Sequence, residues 1–213
     1  MQPAFATAAS LLFVFANTLA ASIAFLRRRA VDVRRGLVIT AAGIPSSILG
    51  AYVILLMSTP DFDVVYGIFL VAVGIAIFLR RNVEPKPRDL SPRTRLLFEI
   101  GTGLFVGFIS SLFGIGGGIV LVPLMLVILP QAIHAIAATS AFVVMLTSPT
   151  GVIAHAYYGD FDPLLATPLA LGGLAGGSVG ARLARRMQAR HLSVLMAIML
   201  FVAAVALVLK HVL

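Results

Sequence analysis

Long apolar runs alternate with short polar segments along the whole chain. A helix that crosses a bilayer needs about 20 predominantly apolar residues, and most of the runs have about that length. This pattern predicts an all-α integral membrane protein of about seven to eight helices. The runs cover residues 4–26, 36–57, 64–79, 96–129, 133–157, 164–184 and 192–209.

The fourth run is too long for one helix and is interrupted by glycines at residues 114–118. We therefore predict a helical hairpin, with helices over 96–113 and 119–129.

The basic residues fall in three clusters. Residues 27–35 hold five of them, 80–95 hold six and 182–190 hold four, and Lys210 is the remaining one. With a hairpin, fifteen of these sixteen share one side of the membrane, as the positive-inside rule favours. We expect that side to be cytoplasmic, with both termini outside, in a multi-pass protein of a bacterial inner (plasma) membrane.

A shift of 130 residues aligns the chain with itself. Ser10 then falls on Ser140 and Gly43 on Gly173, and the sequence Gly-Ala at 50–51 recurs at 180–181. The loop at 27–35 is basic, whereas its counterpart at 158–162 is acidic, so the copies have opposite orientations. Inverted repeats of this kind are typical of secondary transporters. We predict two repeats, 1–95 and 96–213. The glycine-broken hairpin opens the second, and the first is truncated because it lacks an equivalent.

Composition agrees with a membrane protein. Of the 213 residues, 60% are hydrophobic and 11% are charged, and the mean hydropathy is +1.07. A net charge of +8 would suggest nucleic acid as partner of a soluble protein. Here the basic residues cluster between apolar runs, so we expect a lipid bilayer and no nucleic acid. The absence of cysteine excludes thiolate catalysis and Cys-ligated metals.

The glycine segment is the strongest chemical signal. Glycines expose backbone N–H groups just where a new helix begins, and a helix N-terminus with unused amides attracts anions. Irregular backbone is tolerated in a membrane only where it is buried or lines a cavity. A dinucleotide or P-loop site does not fit, because no strand precedes the segment and no Gly-Lys-Ser/Thr follows it. We expect no cofactor and no metal. Tight helix packing at a kink is the alternative explanation.

The run Ser-Leu-Phe-Gly-Ile-Gly-Gly-Gly at residues 111–118, with Val-Pro-Leu at 122–124, resembles the sulfite exporter TauE/SafE family of membrane permeases. Ala-Thr-Ser at 138–140, Gly-Asp-Phe-Asp at 159–162 and Gly-Gly-Ser-Val-Gly-Ala at 176–181 match in order. The similarity covers essentially the whole chain, although the family's usual first glycine-rich helix has no counterpart. The resemblance implies export of sulfite, sulfonates or related small anions.

We expect the substrate-binding residues in the glycine segment and in the first and fifth runs. Their hydroxyls, amide and backbone N–H groups can bind an oxyanion; interhelical hydrogen bonding is the alternative for the side chains. The residues are Ser10, Asn17, Ser111, Gly114, Gly116, Gly117, Gly118, Thr139 and Ser140. His155 could carry a coupling proton, with a structural histidine at the membrane interface as the alternative.

Together with this resemblance, the observations predict a permease or exporter for a small sulfur-containing anion such as sulfite, a sulfonate or thiosulfate, working by alternating access around a midplane site at the glycine segment. A truncated membrane scaffold or subunit that transports nothing is the main alternative, and a homo-oligomer could supply the missing hairpin. An intramembrane enzyme is less well supported, since no catalytic motif is present and the one acidic residue inside a run is Glu99, near its end. We expect no catalytic residues.

Overall fold

The structure, a computed structural model, describes residues 3–80, 91–128, 133–159 and 163–187. Seven helices and no strand occur in these ranges, which confirms the all-α prediction. The predicted last helix, 192–209, lies outside them. The helices are α1 (Pro3–Leu26), α2 (Val33–Leu55), α3 (Thr59–Arg80), α4 (Pro92–Phe113), α5 (Gly118–Ile128), α6 (Ile133–Tyr157) and α7 (Pro163–Arg186).

Local signals explain where α2 and α4 begin and where α4 ends. Asp32 caps α2 by accepting a hydrogen bond from the amide of Arg35, and Ser91 caps α4 from just before a proline. Gly114 ends α4 in the left-handed conformation, with φ of 68°. The break within the fourth apolar run is therefore a glycine C-cap, as its position in the sequence indicates.

Helices α2 and α4 pack closely through glycines. A Cβ added at Gly103 would collide with the Ile39 carbonyl oxygen, and one at Gly107 would collide with that of Gly43. Further along, a Cβ at Gly50 would meet the backbone of α4 near Leu112. Small residues let helix backbones approach closely in membranes, where packing replaces the hydrophobic effect as the main attraction between helices. These contacts advance together along both helices, so α2 and α4 are parallel.

The directions of the other helices follow from the same kind of contact. Gly43 lies against Thr147 and Ser47 hydrogen-bonds Thr150, so α2 and α6 are parallel. Gly173 and Gly177 of α7 lie against successive turns of α1, so α1 and α7 are parallel. Because α4 and α6 point the same way, the chain must reverse through α5. This confirms the hairpin.

Four arginine-bearing helix ends consequently lie at one end of the bundle. That end contains the end of α1, the starts of α2 and α4, and the end of α7. A hydrogen bond of 3.2 Å between His134 and the carbonyl of Met187 joins the start of α6 to the same place. The charge count along the sequence therefore predicted the relative directions of these helices correctly.

The helix contacts also follow the 130-residue shift, which relates α1 to α6 and α2 to α7. The α1–α7 contact corresponds to the α6–α2 contact, and Gly173 on Asn17 corresponds to Gly43 on Thr147. Among the described residues, one interface has no counterpart. Ser46 and Gly50 of α2 pack against α4, whereas the equivalent Gly176 and Gly180 of α7 are exposed, with nothing within 4 Å of an added Cβ.

Four of the described helices are long and apolar enough to cross a membrane by length and composition, namely α1, α2, α4 and α6. Helices α3 and α7 have 22 and 24 residues but are not among the four. The start of α3 packs against the end of α4, where the ring of Phe113 contacts Phe62, Tyr66 and Phe69 at centroid distances of 5.0 to 5.7 Å.

Candidate functional site

The site centres on the turn between α4 and α5, which we call the glycine turn (residues 114–118). Gly114, Gly116 and Gly117 have φ angles of 68°, 75° and 63°. L side chains rarely adopt this conformation, which explains the glycines. The turn folds back on α4, since a Cβ at Gly117 would lie 2.5 Å from Cγ1 of Val106. The turn is buried apart from half-buried Ile115 and Gly118.

One side of the glycine turn rests on α1. The Ser10 hydroxyl donates a hydrogen bond of 2.6 Å to the carbonyl oxygen of Gly114. One turn earlier, the backbone of Thr7 lies 3.0 Å from the position of an added Gly114 Cβ, and one turn later Val14 would collide with a Cβ at Gly116. A single face of α1 therefore holds the turn in place.

The other side rests on α6. The Ser140 hydroxyl lies 3.7 Å from the position of an added Gly118 Cβ, with Val144 beside it. Ser10 and Ser140 are equivalent under the 130-residue shift, and they flank the two ends of the turn. The end of α4 and the start of α5 are thus each accompanied by one of two related serines.

Several hydrogen-bond donors in and beside the turn have no acceptor among the described residues. Among the hydrogen bonds of the described residues, none is donated by the backbone N–H groups of Ile115, Gly116 or Gly117. The Ser111 hydroxyl is buried and has no hydrogen-bond partner among the described residues. It lies against Gly151 of α6. A buried polar group left unsatisfied costs about 1–3 kcal/mol. Such a concentration of unused donors at a helix N-terminus suits a bound anion.

His155 adjoins this site but is not at the surface. It is fully buried, and its Nε2 lies 3.3 Å from the Ser111 carbonyl oxygen. This buried position near the end of α6, bonded to a backbone carbonyl, is compatible with the structural histidine given above as the alternative to proton coupling. The ring links α6 to the last turn of α4 and so helps to position Ser111.

Two residues predicted for the site lie elsewhere. Asn17 packs against α7, where its Oδ1 lies 2.7 Å from an added Gly177 Cβ. The Thr139 hydroxyl accepts a 3.0 Å hydrogen bond from the amide of Asp32 and donates one to the carbonyl of Ala135. Thr139 thus supports the start of α2, at the arginine-rich end. The structure brings Ser10, Ser111, Ser140 and the glycines together, without these two residues.

Sequence reasoning missed three residues that shape the site. Val14 and Val106 close around the glycine turn from α1 and α4, and Gly151 makes room for the Ser111 side chain. Val14 and Val106 are ordinary apolar residues in apolar helices, so no local signal distinguishes them. Gly151 is a single glycine within a helix, which only hints at a close approach.

Comparison with known proteins adds independent information. The profile of the family described as "Sulfite exporter TauE/SafE" matches residues 1–207. The probable membrane transporter protein YunE of Bacillus subtilis is 30% identical over 215 residues, which cover 94% of this chain and 79% of that protein. A probable membrane transporter protein of Xylella fastidiosa is 25% identical over 90% of this chain and 74% of its own length. No solved structure shows a significant match.

Proposed function

The chain belongs to the sulfite exporter TauE/SafE family of membrane proteins, and from this premise we propose that it transports a small sulfur-containing anion, such as sulfite, a sulfonate or thiosulfate. The observation that carries the proposal is the set of donors at the glycine turn that have no acceptor among the described residues. In this proposal the anion binds the N–H groups of Ile115, Gly116 and Gly117 together with the Ser111 hydroxyl.

The neutral character of these donors suits a carrier. An arginine or lysine beside the anion would leave an uncompensated charge inside the membrane whenever the carrier is empty, which is costly. Amide dipoles at the start of α5 stabilise negative charge without adding a formal positive one. The carrier can therefore reorient both with and without its substrate.

The placement of the glycine turn supports alternating access. The turn lies between α1 and α6, which correspond to each other in the 130-residue shift and run antiparallel, and Ser10 and Ser140 flank it from these two helices. In transporters with inverted repeats, rocking of one repeat against the other exposes a central site to each side in turn. We propose this movement here, between the repeats 1–95 and 96–213.

We further propose that the arginine-rich end of the bundle faces the cytoplasm of a bacterial cell, with both termini on the other side of the inner membrane. The support is the positive-inside rule. The described arginines at helix ends, such as Arg28, Arg93 and Arg182, share one end of the bundle, whereas the start of α3 at the opposite end carries Asp61 and Asp63.

The test is flux of sulfite and thiosulfate in proteoliposomes, comparing the wild type with Ser111→Ala. A hydrogen bond to a charged group contributes about 1.5–3 kcal/mol, so its loss should weaken anion binding by about tenfold or more. The half-saturating anion concentration should rise accordingly. Ser111→Ala removes one oxygen from a buried position and should leave the fold intact.

Ser22→Ala is the matched control. The Ser22 hydroxyl is also buried and without a partner, but it lies on α1 three turns beyond Ser10, towards the arginine-rich end. Equal effects of the two substitutions, or none from Ser111→Ala, would contradict a site at the glycine turn. Saturable flux that only Ser111→Ala weakens would support it.

A second candidate is a membrane subunit that transports nothing by itself. The exposed Gly176 and Gly180 of α7 favour it, because the equivalent residues of α2 are covered by α4. We propose a second copy of the chain as the partner at this face. Folded protein without flux for any sulfur oxyanion, together with a dimer that Gly176→Leu dissociates, would favour this function over the carrier.

A further inference from the structure

Glu99 is a buried carboxylate that the proposed anion site does not use. It lies two turns into α4, and only 9% of the residue is exposed. The other acidic residues of the described chain, Asp32, Asp61 and Asp63, are half-buried or exposed. An ionisable group inside a membrane helix is costly, and it commonly marks an ion or proton pathway.

The carboxylate shares its counter-ion. Nε of Arg35 lies 3.6 Å from Oε1 of Glu99 and 3.3 Å from Oδ2 of Asp32. That nitrogen carries a single hydrogen atom, so it cannot donate fully to both carboxylates. Asp32 is held independently, because it caps α2 and its own amide donates to Thr139. Glu99 is the partner that can be released at lower cost.

Few other charges face Glu99. Arg34 on α2 and Arg95 on α4 itself are the remaining charged neighbours. Helices α1 and α5 contain no ionisable residue. The ionisable residues of α6 are His134, His155 and Tyr157. The two histidines contact the carbonyls of Met187 and Ser111, and Tyr157 is exposed at the opposite end of the helix, against Tyr158. The electrostatic environment of Glu99 is therefore set at the α2–α4 interface.

We propose that Glu99 takes up and releases the coupling proton of the transport cycle, with Arg35 as its counter-ion. This inference rests on the proposed function. A proton added to the carboxylate gives the neutral acid, the ion pair with Arg35 is lost, and Arg35 retains Asp32. Release of the proton restores the pair. Because α2 and α4 meet here and α4 also carries Ser111, the state of Glu99 reaches the helix that presents the anion site.

The first experiment compares two modes of transport in proteoliposomes for wild type and Glu99→Gln. Thiosulfate is the probe, because its charge stays constant over the tested pH range. We expect Glu99→Gln to retain exchange of internal for external thiosulfate but to lose accumulation driven by a pH gradient. Asp61→Asn, which changes an exposed carboxylate at the opposite end, should behave like the wild type in both modes.

A purely structural ion pair predicts a different result. Glu99→Gln would then lower exchange and gradient-driven accumulation by the same factor, and this outcome would overturn the proposal. Undiminished accumulation in Glu99→Gln would overturn it as well.

A second measurement does not depend on transport. Dicyclohexylcarbodiimide is an apolar reagent that modifies protonated carboxyl groups in apolar surroundings, and mass spectrometry locates the adduct. We expect modification of wild-type Glu99 to increase as the pH is lowered, with Asp32 unmodified. Modification that is absent at every pH, or that does not respond to pH, would overturn the proposal. If the wild type shows no flux, the proposed function fails, while this labelling still decides whether Glu99 binds a proton.

Discussion

The packing of α2 on α4 can be tested with two glycines of the same helix. Gly107 and Gly101 both lie within α4, six residues apart. A Cβ at Gly107 would collide with the carbonyl oxygen of Gly43. The added atom would also lie 2.7 Å from Cα of Gly43 and 2.5 Å from the Ser46 hydroxyl. A Cβ at Gly101 meets nothing within 4 Å. Alanine therefore enters a tight contact at one position and open space at the other.

The expected magnitudes separate the two variants. Replacing glycine by alanine within a helix stabilises it by about 0.5–1 kcal/mol, and this gain applies to both positions. At Gly107 the added methyl group also meets the backbone of α2, which cannot rotate away as a side chain can. Overpacking typically costs about 1–3 kcal/mol. We expect Gly107→Ala to be less stable than Gly101→Ala by about this amount.

Unfolding in mixed micelles with increasing sodium dodecyl sulfate, followed by circular dichroism, measures this difference. Flux should fall in Gly107→Ala alone, because Ser111 lies one turn further along α4 and moves with it. Equal stability of the two variants, within about 0.5 kcal/mol, would refute the close approach of α2 and α4. The parallel arrangement inferred from it would then lose its main support.

Three further predictions concern the site and its surroundings. In the same unfolding assay, Gly116→Ala should destabilise the protein more than Gly159→Ala. Both positions have positive φ, which costs alanine about 1–2 kcal/mol, but only a Cβ at Gly116 also collides with Val14. Equal losses of stability would contradict the contact with α1. Thr139→Val should destabilise the protein by about 1 kcal/mol, because the Asp32 amide loses its acceptor, whereas Thr18→Val should be nearly neutral, since that hydroxyl bonds only carbonyls of its own helix; the reverse order would be inconsistent with the interhelical bond. His155→Gln should retain the wild-type pH dependence of thiosulfate flux, and loss of that dependence would assign the coupling proton to His155 instead of Glu99.

Most helix positions could be predicted from hydropathy alone. The run at 4–26 corresponds to Pro3–Leu26, and the run at 133–157 corresponds to Ile133–Tyr157. These boundaries are readable because a helix in lipid must be apolar along its whole length and must end where polar residues begin. The glycine turn could be predicted for a similar reason, because glycines clustered within an apolar run are unfavourable in a helix and indicate that the helix breaks there.

The sequence did not reveal in the same way which neighbouring helix each polar side chain contacts. Asn17 and Thr139 carry the same kind of polar signal as Ser10 and Ser140, yet Asn17 contacts α7 and Thr139 supports α2. In a soluble helix the apolar face points to the core, and periodicity reveals it. In lipid every face is apolar, so periodicity says little about which neighbour a residue contacts.

The sequence by itself determined the class of the protein, the places where its helices begin and end, and their directions relative to the arginine clusters. These properties depend on local composition, because the residues of each segment decide by themselves whether it favours lipid, water or a turn. Tertiary structure alone decided which polar groups meet. Glu99 and Arg35 are 64 positions apart in the chain, and Ser10 lies 104 positions from Gly114. Such pairs form only when helix backbones approach each other closely. Small residues allow this approach, but their positions in the sequence do not indicate which helix they will contact.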